Sequence, residues 1–126
     1  MRYGKKILIM DDDEMMMEFL VDILKSSDVL CIVEAYQSFK EMACMINEFL
    51  PDLLIIGYNN IDMRGDDIVK WIKSKPGLNH TKIIGMSGYC PAEKAEEWGK
   101  IGIDIFFGKP FSVKEFLREV KRLLGL

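Results

Sequence analysis

Asp11, Asp12 and Asp13 stand in a row and Glu14 follows them. Adjacent carboxylates repel one another and stay ionised comfortably only in water or beside a cation. A hard cation such as Mg²⁺ takes oxygen ligands of this kind. The competing reading is a solvated acidic loop whose last members cap the following helix and complement its dipole. Farther along, Ser87-Gly88 offers a hydroxyl beside a residue that permits close approach of a ligand. Read alone, that pair is more often a turn-former. Lys109-Pro110 supplies a compact positive charge, which alone reads as a surface lysine before an X-Pro bond that is more often trans than cis. Together, the acids, the hydroxyl and the lysine describe a pocket for a metal and a phosphoryl group. Such a pocket accepts phosphoryl when a nucleophilic carboxylate stands among them, with the cation and lysine offsetting charge on the transferring oxygens.

These residues can meet only if the elements between them bring them to one edge, and the pattern predicts that. "KKILIM" is a continuous apolar run, as in a strand buried on both faces. Glu14 to Ser26 reads as a helix with Met16, Phe19, Leu20, Ile23 and Leu24 inward. "VLCIVEAY" is a second strand, and Ser38 with Glu41 opens a helix lined by Met42, Ile46 and Phe49. "DLLIIG" is the third strand, followed by a helix from Gly65 to Ser74 that Pro76-Gly77 ends. "KIIGMS" is the fourth, and Pro91 opens a helix running to about Lys100. "IDIFFG" is the fifth, and Ser112 with Glu115 starts a last helix lined by Val113, Phe116, Leu117, Val120 and Leu124. Strands alternating with helices predict an α/β domain, a parallel sheet with helices on both faces. Ligands of such sheets sit beyond the carboxyl ends of the strands. The acids follow the first strand, Ser87 closes the fourth and Lys109 follows the fifth. The third ends in Gly57, which has no nucleophile to offer.

The 126 residues fit one domain, 1–126, with 49% hydrophobic and 29% charged residues, an ordinary soluble composition. A net charge of −3 gives no nucleic-acid footprint. Cys31, Cys44 and Cys90 are odd in number and widely spaced, which fits a reducing cytosol and buried packing rather than disulfides. His80 is the only histidine to accompany them, so a zinc site is not expected. "MRYGKKILIMDDD" reads as neither a signal peptide nor a membrane span.

The chain resembles the response-regulator receiver family of two-component signalling. "ILIMDDDE" is similar to the family's first strand and acidic pair. "PDLLIIGYNNIDMRGDDIVKWIK" is similar to its "PDLxxxDxxMPxMDGxE" block, "KIIGMSGY" to its fourth strand, and "GIDIFFGKPF" to its "GAxDyLxKPF" ending. The resemblance implies a three-layer, doubly wound, CheY-like five-stranded sheet in the order 2-1-3-4-5. It implies that Asp11 and Asp12 bind the metal with the backbone carbonyl of Asn59. It also implies that Ser87 and Lys109 contact the phosphoryl group, and that Phe106 is the aromatic whose rotamer reports activation. The acceptor position falls on Gly57; Ile61 and Arg64 also depart from the pattern, while Gly65 anchors the register.

Neither neighbouring acid is expected to stand in for the acceptor. Asp52 opens the third strand about 16 Å away at about 3.3 Å per residue, and Asp62 lies in the loop beyond. Ile103, Ile105 and Phe107 are expected on one face of the fifth strand, packed under the fourth helix.

The reading that follows is a pseudo-receiver, a cytoplasmic interaction module rather than an enzyme. It is expected to be phosphorylation-independent at the usual site and to have weak Mg²⁺ binding at most. Its expected partner is a sensor kinase or output protein docking through the last strand and helices four and five, with the chain a monomer or weak homodimer. The alternative is an ordinary Mg-dependent, phospho-accepting receiver inactivated at residue 57. A small flavodoxin-like enzyme is disfavoured, because acids after the first strand repel phosphate. On this reading Gly57→Asp restores labelling by a phosphodonor, and Gly57 leaves room for a water or small anion between Lys109 and Ser87.

Overall fold

Side chains alternate across a pleated strand, and that alternation divides the core of this chain in two. The computed structural model describes residues 4–88 and 91–126. Its strands are β1 (Lys5–Met10), β2 (Cys31–Tyr36), β3 (Leu53–Gly57), β4 (Lys82–Ser87) and β5 (Ile105–Gly108). Its α-helices are α1 (Glu14–Ser26), α2 (Phe39–Phe49), α3 (Gly65–Lys73), α4 (Pro91–Lys100) and α5 (Val113–Leu123), with a short 3₁₀ turn at Pro76–Leu78. The strands form one parallel sheet in the order β2-β1-β3-β4-β5.

On one face Ile7, Ile9, Leu53, Ile55, Ile84 and Met86 pack against α1 and α5 through Leu20, Leu24, Phe116 and Val120. On the other, Leu8, Met10, Leu54, Ile56 and Ile83 meet Met42 and Ile46 of α2, Ile68 and Ile72 of α3, and Trp98 of α4. Burial of both faces explains why the central strands read as unbroken apolar runs.

Helix starts follow their caps. Asp13 accepts the Met16 N–H at the start of α1, Ser38 accepts the Glu41 N–H at α2, and Ser112 accepts the Glu115 N–H at α5. Each removes an unpaired amide at a helix start.

Three expectations are corrected. In α1 Leu20 and Leu24 are buried as expected and Met16 and Ile23 pack against the same core, but Phe19 is 46% exposed and Met17 is buried in addition. Cys44 is exposed rather than packed, Cys31 is half-buried, and Cys90 lies outside the described residues. β5 begins at Ile105, so Ile103 is not in register with it. Ile105 and Phe107 join the α1/α5 core, while Ile103 and Phe106 pack on the α4 side. The Lys109-Pro110 peptide is cis, the rarer isomer. No helix among the described residues is long and apolar enough to cross a membrane.

Candidate functional site

The parallel register sets the site. β1 and β3 pair Ile9 with Ile55 and Met10 with Ile56, so the next step places Asp11 beside Gly57 on one face. β4 and β5 pair Ser87 with Gly108, and the Lys109 amide donates to the Ser87 carbonyl at 2.9 Å. Asp11, Gly57, Ser87 and Lys109 therefore share the carboxyl edge of the sheet. Asp11, Ser87 and Lys109 line a cleft of about 310 Å³ together with Asp12, Asn59 and Gly88.

Within the cleft the Asp11 carboxylate carries the geometry. Asp11 is 4% exposed, and its Oδ2 accepts from Lys109 Nζ at 3.0 Å. Its Oδ1 accepts from the Asp13 amide at 3.1 Å. A Cβ built on Gly57 would lie 2.5 Å from Asp11 Oδ2 and 2.7 Å from its Cγ. The space beside Gly57 is thus filled by a neighbouring strand's carboxylate. That corrects the expectation of room there for a water or small anion.

The remaining acids are arranged around that pair. Burial, a hydrogen bond with Asp11 and the Asp11 charge raise the Asp12 carboxyl above its ordinary value, with Lys109 acting in the opposite direction. The Asp13 carboxylate caps α1. The Asn59 carbonyl accepts the Asp12 amide at 3.2 Å. Among the described residues no group of three His, Cys, Asp or Glu side chains is placed to hold a metal ion. Mg²⁺ demands near-octahedral oxygen geometry, and with Asp11 turned to Lys109 and Asp13 turned to α1 these groups do not fit it as arranged.

Asp52 accepts from the Lys6 amide at 2.8 Å, at the opposite end of β3. Asp62 accepts from the Phe39 amide at 2.7 Å, the Lys40 amide at 3.0 Å and Ser38 Oγ at 3.1 Å. Burial alone would raise the Asp62 carboxyl, but these donors outweigh it and hold it below the ordinary carboxylate range. Asp62 is committed to the start of α2.

Beneath the cleft lies an aromatic slot that sequence reasoning missed. Trp98 is fully buried, 5.8 Å edge-on to Phe106 and 6.1 Å from Tyr58 between ring centroids. A Cβ at Gly85 would lie 2.5 Å from the indole, and one at Gly65 would meet both the indole and the Gly57 carbonyl. Both positions need glycine for close approach. The clue was Gly85 inside an otherwise apolar strand, the usual mark of something approaching closely. Lys94 Nζ sits 4.0 Å over the Tyr58 ring.

Residues 7–121 match the response regulator receiver domain model. The chain belongs to this family. The receiver is 26% identical over 121 residues to the polar-differentiation response regulator DivK of Brucella ovis, covering 96% of this chain and 97% of that protein. In structure it is similar to a response regulator from Chloroflexus aurantiacus, with a TM-score of 0.89, 24% identity, and coverage of 98% of this chain and 99% of that one. It is also similar in fold to the receiver domain of a sensor histidine kinase from Pseudomonas aeruginosa, solved with a magnesium ion in its active-site cleft, with a TM-score of 0.84 and 17% identity over 98% of this chain and 99% of that one. The receiver is thus a domain of two-component signalling with the CheY-like fold expected of it.

Proposed function

We propose that this receiver is a protein-interaction module that takes no phosphoryl group at residue 57. A glycine ends β3 where the family pattern has its acceptor, and glycine has no nucleophile. The observation that carries the reading is that Asp11 fills the side-chain space of Gly57 and engages Lys109. Asp52 and Asp62, the other acids near in sequence, are held elsewhere by backbone amides.

The partner is a sensor kinase or an output protein, and the module acts by contact rather than turnover. We assign docking to the α4–β5–α5 surface, because Tyr58, which lines the cleft, packs near Trp98, and Trp98 packs on Phe106 of β5. The receiver is monomeric or weakly dimeric in this reading.

The test is to incubate the unmodified chain with phosphoramidate and Mg²⁺, then to measure intact mass and map any acyl phosphate after borohydride reduction. The expected result is no acyl phosphate. A stoichiometric adduct on a carboxylate of the cleft would overturn the reading.

A further inference from the structure

Asp11 and residue 57 are neighbours on adjacent parallel strands and point to the same face. Adjacent strands lie about 4.8 Å apart, so a carboxylate at each position would compete for one volume. The geometry shows which holds it here, since Asp11 Oδ2 stands 2.5 Å from the Cβ position of residue 57. The oxygens of an aspartate lie about 2.4 Å from its own Cβ by bond lengths and angles. Asp11 therefore sets an oxygen as close to that point as a side chain at 57 would.

We infer that Asp11 stands in for residue 57 as the carboxylate partner of Lys109, so that the lysine's charge is paired from within the cleft. This rests on reading the cleft as a receiver pocket.

Two contacts hold the exchange in place. Lys109 Nζ is on one oxygen at 3.0 Å and the Asp13 amide on the other at 3.1 Å. The Asp11 side chain is 6% exposed and that of Lys109 22%, and removing one member of a buried pair strands the other charge. Turning Asp11 toward a metal would cost its bond to Lys109. The ammonium of Lys109 is accordingly the resident cation of the cleft, and Asp11 is a positioning residue for it rather than a metal ligand. A carboxylate introduced at 57 meets a like charge in a poorly solvated place and finds its lysine already engaged.

The expectation drawn from sequence, that Gly57→Asp alone restores phosphoryl acceptance, changes accordingly. The acceptor returns only when Asp11 leaves. Asp12 and Asn59 still line the cleft in that double variant.

The experiment compares the unmodified chain, Gly57→Asp, Asp11→Ala and Asp11→Ala/Gly57→Asp. Each is followed by thermal melting and by phosphoramidate labelling with Mg²⁺. Gly57→Asp is expected to lower the melting midpoint by about 5 °C or more in the unmodified chain, and to raise it on the Asp11→Ala background, where it re-pairs Lys109. Labelling is expected to be at least about tenfold greater in the double variant than in Gly57→Asp alone, a factor equivalent to about 1.4 kcal/mol. Should Gly57→Asp not fold, Gly57→Ala keeps the test, because its Cβ alone meets the Asp11 carboxylate and should lower the midpoint only where Asp11 is present. Equal midpoint changes on the two backgrounds, or equal and detectable labelling of the single and double variants, overturn the exchange. Opposite midpoint changes with no labelling of the double variant leave the exchange standing and overturn the receiver-pocket reading.

Discussion

Gly57 and Gly85 end up in the same situation for different reasons. Each lacks a side chain, and each has its vacant volume occupied by a residue from another element, Asp11 at one and Trp98 at the other. The occupant of the first is a carboxylate with a lysine partner in a solvent-facing cleft. That of the second is an indole sealed from solvent between α4 and the sheet. Removing the carboxylate strands the charge of its lysine, whereas moving the buried ring opens a cavity. The first glycine therefore marks an exchange of charge partners, and the second a fixed piece of packing.

The difference between the two glycines should show most at the packed one. Gly85→Val is expected to cost about 3 kcal/mol, the upper range for forcing atoms into a filled core, measured by urea unfolding. Adding Trp98→Leu should recover part of that loss, because the indole is what the new methyl groups meet. No recovery would mean that Trp98 is not the obstacle. The corresponding change at the cleft, Gly57→Asp, should cost less and should reverse sign when Asp11 is removed.

The smallest expected effect lies at a third carboxylate, outside both regions. Asp62→Ala removes acceptors for two amides and a hydroxyl at the start of α2, worth about 1 kcal/mol by analogy with helix caps. Because the folded state holds this carboxyl below the ordinary range, its contribution is full at neutral pH. It disappears as pH falls through the depressed value. The stability gap between the unmodified chain and Asp62→Ala should therefore close in acid, and a gap that persists there would argue that Asp62 acts other than as an ionised acceptor.

Much of the architecture was legible in the chain because its signals are strong and local. Ser38 and Ser112 with their following glutamates mark helix starts, Pro91 marks another, and the apolar runs give the strands to within two residues of where they lie. The face of α1 was legible apart from Phe19. Met15, Met16 and Met17 are equally apolar, so periodicity alone could not show that Met17 is buried beside Met16 while Met15 is exposed. The fifth strand misled similarly, since Asp104 leaves the alternation to accept the Ile83 amide at 2.7 Å.

At the cleft, residue types and strand order were enough to gather Asp11, Ser87, Asn59 and Lys109. What they could not supply was a rotamer. The sheet order together with the β1/β3 register places Asp11 beside Gly57, but only side-chain geometry shows the carboxylate turned across to Lys109 rather than outward with Asp12. Trp98 escaped notice because its two glycine contacts come from separate elements, α3 and β4.

The closed pair between Asp11 and Lys109 can be observed directly. In ¹⁵N-labelled protein at low temperature and mildly acidic pH, an ammonium held by a buried carboxylate exchanges slowly enough to give its own NMR correlation. A Lys109 ammonium signal is expected in the unmodified chain, persisting under millimolar Mg²⁺ and vanishing in Asp11→Ala. A signal that disappears on adding Mg²⁺, with saturating shifts at Asp11 and Asp12, would show that the metal takes Asp11 from the lysine and would contradict the closed pair.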